Sequence, residues 1–175
     1  MTNEIKIKYP RTDYIVLNEY IKEKIENIIK EFMEYAKEAP QKEIVYSLYI
    51  TYKSYIYQNY ISYVFSISMY TGGAHPDNRI LSVNYNVKHN KIIKITDIYN
   101  NLTKLSEISR KLLKNKNEIN SITLPLDMIL EGTTPNDYNF RNYALTDNGV
   151  IIFFEPYQVA PYAAGTIEIT IPYNI

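Results

Sequence analysis

Met69-Tyr70-Thr71-Gly72-Gly73-Ala74-His75-Pro76 separates two long stretches in which apolar and polar residues alternate. A double glycine permits positive φ or close backbone approach, and Pro76 has no N–H to give a ladder. The stretch therefore predicts a shaped loop between two strands. It also holds one of the chain's two histidines. Gly72, Gly73 and His75 are accordingly candidate partner-binding residues. Immediately upstream, Ile61, Tyr63, Phe65, Ile67 and Met69 share one side, with Ser62, Ser66 and Ser68 opposite. Further upstream, Glu43 to Tyr57 also has a period of two, with Ile44, Tyr46, Leu48, Ile50, Tyr52 and Ile56 on one side. Gln58-Asn59 turns the first run into the second, which predicts a long antiparallel hairpin with one wetter face. Downstream, Leu81, Val83, Tyr85 and Val87 alternate with Ser82, Asn84 and Asn86, and His89-Asn90 turns back into Lys91 to Ile95.

Outside this β-rich centre the period changes. From Tyr14 to about Glu38 the residues Leu17, Ile21, Ile25, Ile28, Phe32 and Ala36 fall on one helical stripe, widened by Ile29 and Met33. Most of the segment's charges lie elsewhere on the wheel, Glu26 and Lys30 have a favourable four-residue spacing, and Pro40 stands just past the end. Before this helix, Ile5, Ile7 and Tyr9 alternate with lysines and predict a short edge strand. Beyond the centre, Thr96-Asp97 caps a short turn, and Thr103 caps a helix that buries Leu105, Ile108, Leu112 and Leu113. Residues 115–138 are polar and broken, with a short helix near Leu126 to Leu130. Asn142 to Leu145 and Val150 to Phe154 form a hairpin around Asp147-Asn148-Gly149. Thr166 to Pro172 closes as a last strand. The reading is α+β: a largely antiparallel sheet with a long N-terminal helix and a second helix on one face. Residues 1–175 read as a single domain, with a helix-plus-hairpin part over 1–70 and the remainder over 71–175.

The 175 residues are 46% hydrophobic and 22% charged, which is the balance of a folding chain. Formal net charge is zero and offers no electrostatic argument for nucleic acid. There is no run of eighteen apolar residues, so this segment does not insert into a membrane as a helix. Cysteine is absent, which removes disulfides, thiol nucleophiles and thiolate metal sites. Nineteen tyrosines with no tryptophan suggest an aromatic binding surface, but tyrosine also suits half-buried strands, and that reading accounts for most of them. His75 stands near Asp77 without a third metal ligand at a telling spacing, and no nucleophile-elbow serine accompanies it. Glu155 and Asp147 are available carboxylates that nothing singles out. No catalytic residue, cofactor or metal is assigned, and a non-catalytic binding domain is the expectation. Its second candidate surface is Pro156-Tyr157-Gln158-Val159-Ala160-Pro161-Tyr162-Ala163-Ala164-Gly165. There Pro161 stiffens the backbone, Tyr157 and Tyr162 offer contact area, and the alanines let a partner approach.

Three stretches carry a family resemblance. They are Tyr70 to Pro76 with the strand Ser82 to Val87, then Tyr143 to Phe154, then Tyr157 to Gly165 closed by Ile169-Thr170-Ile171-Pro172-Tyr173. Together with the long helix and hairpin they resemble a family of bacterial extracytoplasmic domains of unknown function. That family occurs in the outer domain of the lysozyme-sensing anti-sigma-V factor and in the non-catalytic N-terminal region of peptidoglycan deacetylases. The resemblance covers nearly the whole chain and departs most over residues 115–138. It implies export, a Gram-positive-type envelope and a binding role without choosing the ligand; a protein such as lysozyme is the first partner expected. The alternative is an accessory domain of a peptidoglycan-modifying system that binds cell-wall glycan. The resemblance implies no catalytic residues in this part.

Overall fold

The computed structural model describes residues 3–37, 44–116 and 118–175. The described elements, in order, are β1 (Glu4–Ile7), α1 (Ile15–Lys37), β2 (Ser47–Tyr57), β3 (Tyr60–Tyr70), β4 (Asp77–Asn86), β5 (Lys91–Ile93), α2 (Leu102–Lys116), β6 (Glu118–Ile119), β7 (Ile122–Thr123), α3 (Leu126–Gly132), β8 (Tyr143–Thr146), β9 (Gly149–Phe154) and β10 (Ile167–Ile171). Short 3-10 turns occupy Ile95–Asp97 and Tyr162–Ala164. Strands β1 to β5 form one sheet in chain order, β10-β9-β8 a second, and β6-β7 a small ribbon. The α+β reading holds, with one refinement: β1 is the edge strand expected, but it runs parallel to β2, which makes the five-stranded sheet mixed. The chain packs as two compact units, Met1–Lys53 with Phe65–Leu81, and Ser54–Val64 with Ser82–Ile175.

In the first unit, α1 starts where Thr12 and Asn18 lock the entering chain. Thr12 Oγ1 accepts the Tyr14 N–H at 3.1 Å, and Asn18 Nδ2 donates to the Thr12 carbonyl at 2.7 Å. Leu17, Ile21, Ile25 and Phe32 are buried, at spacings of four and seven that keep them on one face. Ile28 and Ile29 are half-buried, whereas Met33 is exposed, so the stripe is narrower than predicted. Met33 lies about 100° around the helix from Phe32, on the flank. Glu26 bonds back to Lys22 at 3.7 Å, not forward to Lys30. Pro40 and the start of the predicted strand at Glu43 lie outside the described residues. Across the unit's core, Tyr46, Leu48, Ile50, Phe65, Ile67 and Met69 are buried, on the side the alternation predicts. Arg79 of β4 donates from both terminal nitrogens to Glu31 of α1, at 2.8 Å each, and ties helix to sheet.

In the second unit, the alternation misassigns the faces. Ile56 is 73% exposed, while Tyr55 meets Phe153 and Tyr57 stacks on Tyr173 at 5.0 Å. On β3 the supposedly wetter Ser62 is fully buried with Val64, and on β4 so are Asn84 and Asn86. The far half of β3 buries the face opposite to the one buried in the first unit, whereas β4 buries both faces there, Val83 and Tyr85 as expected and Asn84 and Asn86 as well. The reason is the hydrogen-bond demand of β8, an edge strand whose outward groups need partners. Ser82 Oγ accepts the Tyr143 N–H at 2.9 Å and Asn84 Nδ2 donates to the Tyr143 carbonyl at 2.9 Å. Ser62 Oγ accepts the Leu145 N–H at 3.1 Å. Apolar residues from β8, β9, β10, α2 and α3, with Phe140 and Tyr99, fill the core behind this ladder. The cap of α2 is Asn101, whose Oδ1 accepts the Lys104 N–H at 2.9 Å, so Thr103 lies inside the helix. Residues 115–138 hold the end of α2, the β6-β7 ribbon and α3.

Candidate functional site

The loop that follows β9 is built to hold its shape. Gln158 is the clamp. Its Nε2 donates to the Gly132 carbonyl at 3.0 Å and the Asn139 carbonyl at 2.9 Å, and its Oε1 accepts the Glu155 N–H at 3.2 Å. Its own N–H closes a turn onto the Glu155 carbonyl at 3.0 Å. The turn forces Tyr157 to φ +69, a left-handed conformation that costs a non-glycine residue roughly 1–2 kcal/mol. Gly132 permits the clamp: a Cβ there would lie 1.9 Å from the Gln158 carbonyl oxygen. Val159 and Ala160 then dive into the core, and Pro161 leads into the 3-10 turn that ends at Gly165 with φ +71.

This scaffold presents two aromatic rings. Tyr157 is 59% exposed and Tyr162 half-buried, with centroids 5.5 Å apart and planes tilted by 37°. Of the alanines expected to admit a partner, Ala160 and Ala164 are buried and only Ala163 faces solvent. At the start of the loop Glu155 is ion-paired with Arg141. The Arg141 guanidinium lies 3.8 Å from the centre of the Tyr138 ring and donates to the Tyr138 carbonyl at 2.7 Å. Tyr138 is 69% exposed. The sequence reading missed Tyr138 and Arg141. Neither carries a motif, and it is the Arg141–Glu155 ion pair and the Gln158 bond to the Asn139 carbonyl that bring this strand entrance to the loop. Glu155, earlier an unassigned carboxylate, is committed to Arg141.

The glycine loop belongs to the first unit. Gly72 sits at φ +90 with the Tyr46 ring 3.2 Å from where a Cβ would be, so any side chain there is strained and crowded. Gly73 and His75 are exposed, and His75 Nδ1 bonds the Pro76 carbonyl at 3.0 Å. The carboxylate of Asp77 accepts from Arg79 Nε at 2.6 Å. Among the described residues no three His, Asp or Glu side chains gather as a metal site would require.

The second unit also has a cleft of about 540 Å³ lined by residues 96–101 and 173–175. Asp97 there accepts the Lys94 N–H at 2.8 Å and bonds Lys91 at 3.0 Å, contacts that hold its carboxyl below the usual range. Burial pushes the Tyr99 and Tyr143 hydroxyls up, and that of Tyr173 up to about 12. All three hydroxyls donate to backbone carbonyls, which makes them structural.

Comparisons with known proteins bear on the family and the fold. Residues 91–174 match the family described as a protein of unknown function, DUF3298, and residues 2–78 match the family Deacetylase PdaC. The peptidoglycan-N-acetylmuramic acid deacetylase PdaC of Bacillus subtilis is 28% identical over 173 residues, covering 94% of this chain and 36% of its own length. The immunogenic protein MPT64 of Mycobacterium tuberculosis is 25% identical over 147 residues, 81% of this chain and 63% of its own. The chain thus spans about a third and under two thirds of these relatives. A solved DUF3298 structure from Bacteroides fragilis superimposes with a TM-score of 0.60 at 24% identity, over 89% of this chain and 66% of that one. Another from Pseudomonas aeruginosa gives 0.50 at 24% identity, over 73% and 59%. At that identity the two structures speak for the fold alone. The glycine loop lies in the PdaC-matching part and the tyrosine loop in the DUF3298-matching part. The chain therefore pairs a segment matching the PdaC deacetylase family, residues 2–78, with one matching DUF3298, residues 91–174, and the resemblance to a deacetylase-associated domain of unknown function is borne out.

Proposed function

We propose that this protein is a non-catalytic, cell-envelope domain that binds cell-wall glycan through the loop of residues 156–165. The observation that carries the reading is Tyr157: an exposed aromatic residue held in a left-handed conformation by the Gln158 clamp, beside Tyr162. Backbone strain retained under an exposed ring is a mark of a presented contact residue. A sugar ring packs its apolar face on a tyrosine and offers hydroxyls to its tip, so Tyr157, Tyr162 and exposed Tyr138 suit a glycan. The relation to a peptidoglycan deacetylase supports the choice of glycan and an extracytoplasmic location. Pro161 fixes the exit of the loop, while Gly72, Gly73 and His75 form a second candidate contact on the first unit. Lysozyme is the second reading, supported by the resemblance to a lysozyme-sensing ectodomain.

Calorimetric titration of the full chain with soluble peptidoglycan fragments and, separately, with lysozyme tests both readings. Replacing Tyr157 by Ala should weaken binding by about 2 kcal/mol, roughly thirtyfold, with the melting temperature nearly unchanged. No heat with either ligand at high micromolar concentration would remove the binding role. Heat with lysozyme alone would shift the assignment to the second reading.

A further inference from the structure

The three-stranded sheet β10-β9-β8 has two edges, and they are treated differently. The Phe153 N–H donates to the Asn142 carbonyl at 2.9 Å, and Tyr143 stands opposite Ile152. Odd-numbered residues of β9 therefore bond toward β8, and even-numbered ones bond toward β10. In β8 this turns the peptide groups of Tyr143 and Leu145 outward, where Ser82, Asn84 and Ser62 meet them. In β10, Ile167, Ile169 and Ile171 face Phe154, Ile152 and Val150 and bond inward. The N–H and carbonyl groups of Glu168 and Thr170 point out. Among the described residues no partner meets those four groups. A groove of about 320 Å³ runs beside them, lined by Leu112, Asn115 and Lys116 of α2 and by residues 168–170.

We infer that this edge pairs with the same edge of a second copy of the chain, joining two three-stranded sheets into one of six strands. The strand Ile167-Glu168-Ile169-Thr170-Ile171 reads apolar, polar, apolar, polar, apolar in either direction. A two-fold axis at Ile169 sets each isoleucine against an isoleucine and Glu168 against Thr170. That register exchanges all four outward groups of each copy, two bonds per Glu168–Thr170 pair, and leaves none unmet. No like charges stand opposite each other in this register. Glu168 is the one charged side chain on this edge, and the five residues include no proline, lysine or glycine. Four main-chain bonds on a short strand make a small interface, so the dimer should form between about 10 µM and 1 mM.

Sedimentation velocity across that range, with amide exchange followed by NMR, tests the pairing. The wild-type chain should pass from monomer to dimer, and the Glu168 and Thr170 amides should slow by about tenfold or more as it does. Thr170→Pro removes one outward donor and should abolish the dimer while keeping the monomer's circular dichroism. If that variant fails to fold, the concentration dependence of the two wild-type amides decides alone. A chain that stays monomeric to 1 mM, a Thr170→Pro variant that folds and still dimerises, or dimerisation that leaves the two amides unchanged each overturns the inference.

Discussion

Gln158 and Tyr157 show how one side chain sets the shape of a surface. The Gln158 amide uses three of its hydrogen-bonding positions on backbone groups from Gly132, Asn139 and Glu155. Gln158→Ala should therefore destabilise the protein by about 2–3 kcal/mol, since each net bond contributes roughly 1 kcal/mol. Chemical denaturation measures it, and a loss below about 0.5 kcal/mol would show the loop to be held by Val159 and Ala160 alone. The two loops were legible in the sequence as loops, because glycine and proline announce themselves by backbone constraint. The clamp was not. A glutamine has no signature that separates a solvated amide from one with three backbone partners. Tyr138 and Arg141 were hidden for a related reason, because the Arg141 contacts to Glu155 and to the Tyr138 ring are set by where β8 begins.

At the scale of elements, the helix α1 and the near half of the β2-β3 hairpin were read correctly from period alone. Leu17, Ile21, Ile25 and Phe32, with Leu48, Ile50, Phe65 and Ile67, are the buried residues expected. Phe32→Ala should cost about 3–5 kcal/mol, as for other fully buried phenylalanines. The far half was misread because alternation says which residues share a face, not which face is covered. Ser62 and Asn84 looked solvated because they are polar. They are buried because the edge of β8 needs donors and acceptors where a paired strand would otherwise stand. Ser62→Ala leaves the buried Leu145 N–H without its partner and should cost about 1–3 kcal/mol, read from the shift of the denaturation midpoint. A neutral effect would mean that water reaches β8 and that the side-chain ladder is incidental.

At the scale of the molecule, nineteen tyrosines divide into those that hold the fold and those that face outward. Tyr99, Tyr143 and Tyr173 hold it, and burial raises all three hydroxyl pKa values in the folded state. The sign follows from linkage. Their contribution is complete below the ordinary tyrosine value near 10 and is lost as pH rises through the raised values, about 12 for Tyr173. Unfolding followed by circular dichroism should thus set in above pH ~10, together with a late rise in tyrosinate absorbance. A fold that persists while every tyrosine ionises near pH ~10 would contradict the burial. The outward tyrosines bear the functional claim, and they lie on a domain related to a peptidoglycan deacetylase. The most direct measurement is a map of amide chemical shifts as the full chain is titrated with a soluble peptidoglycan fragment. The largest changes should fall on residues 155–165 and 138–141, and the Tyr157→Ala variant should lose them. Binding whose shifts leave both stretches untouched would place the glycan site elsewhere and contradict the account.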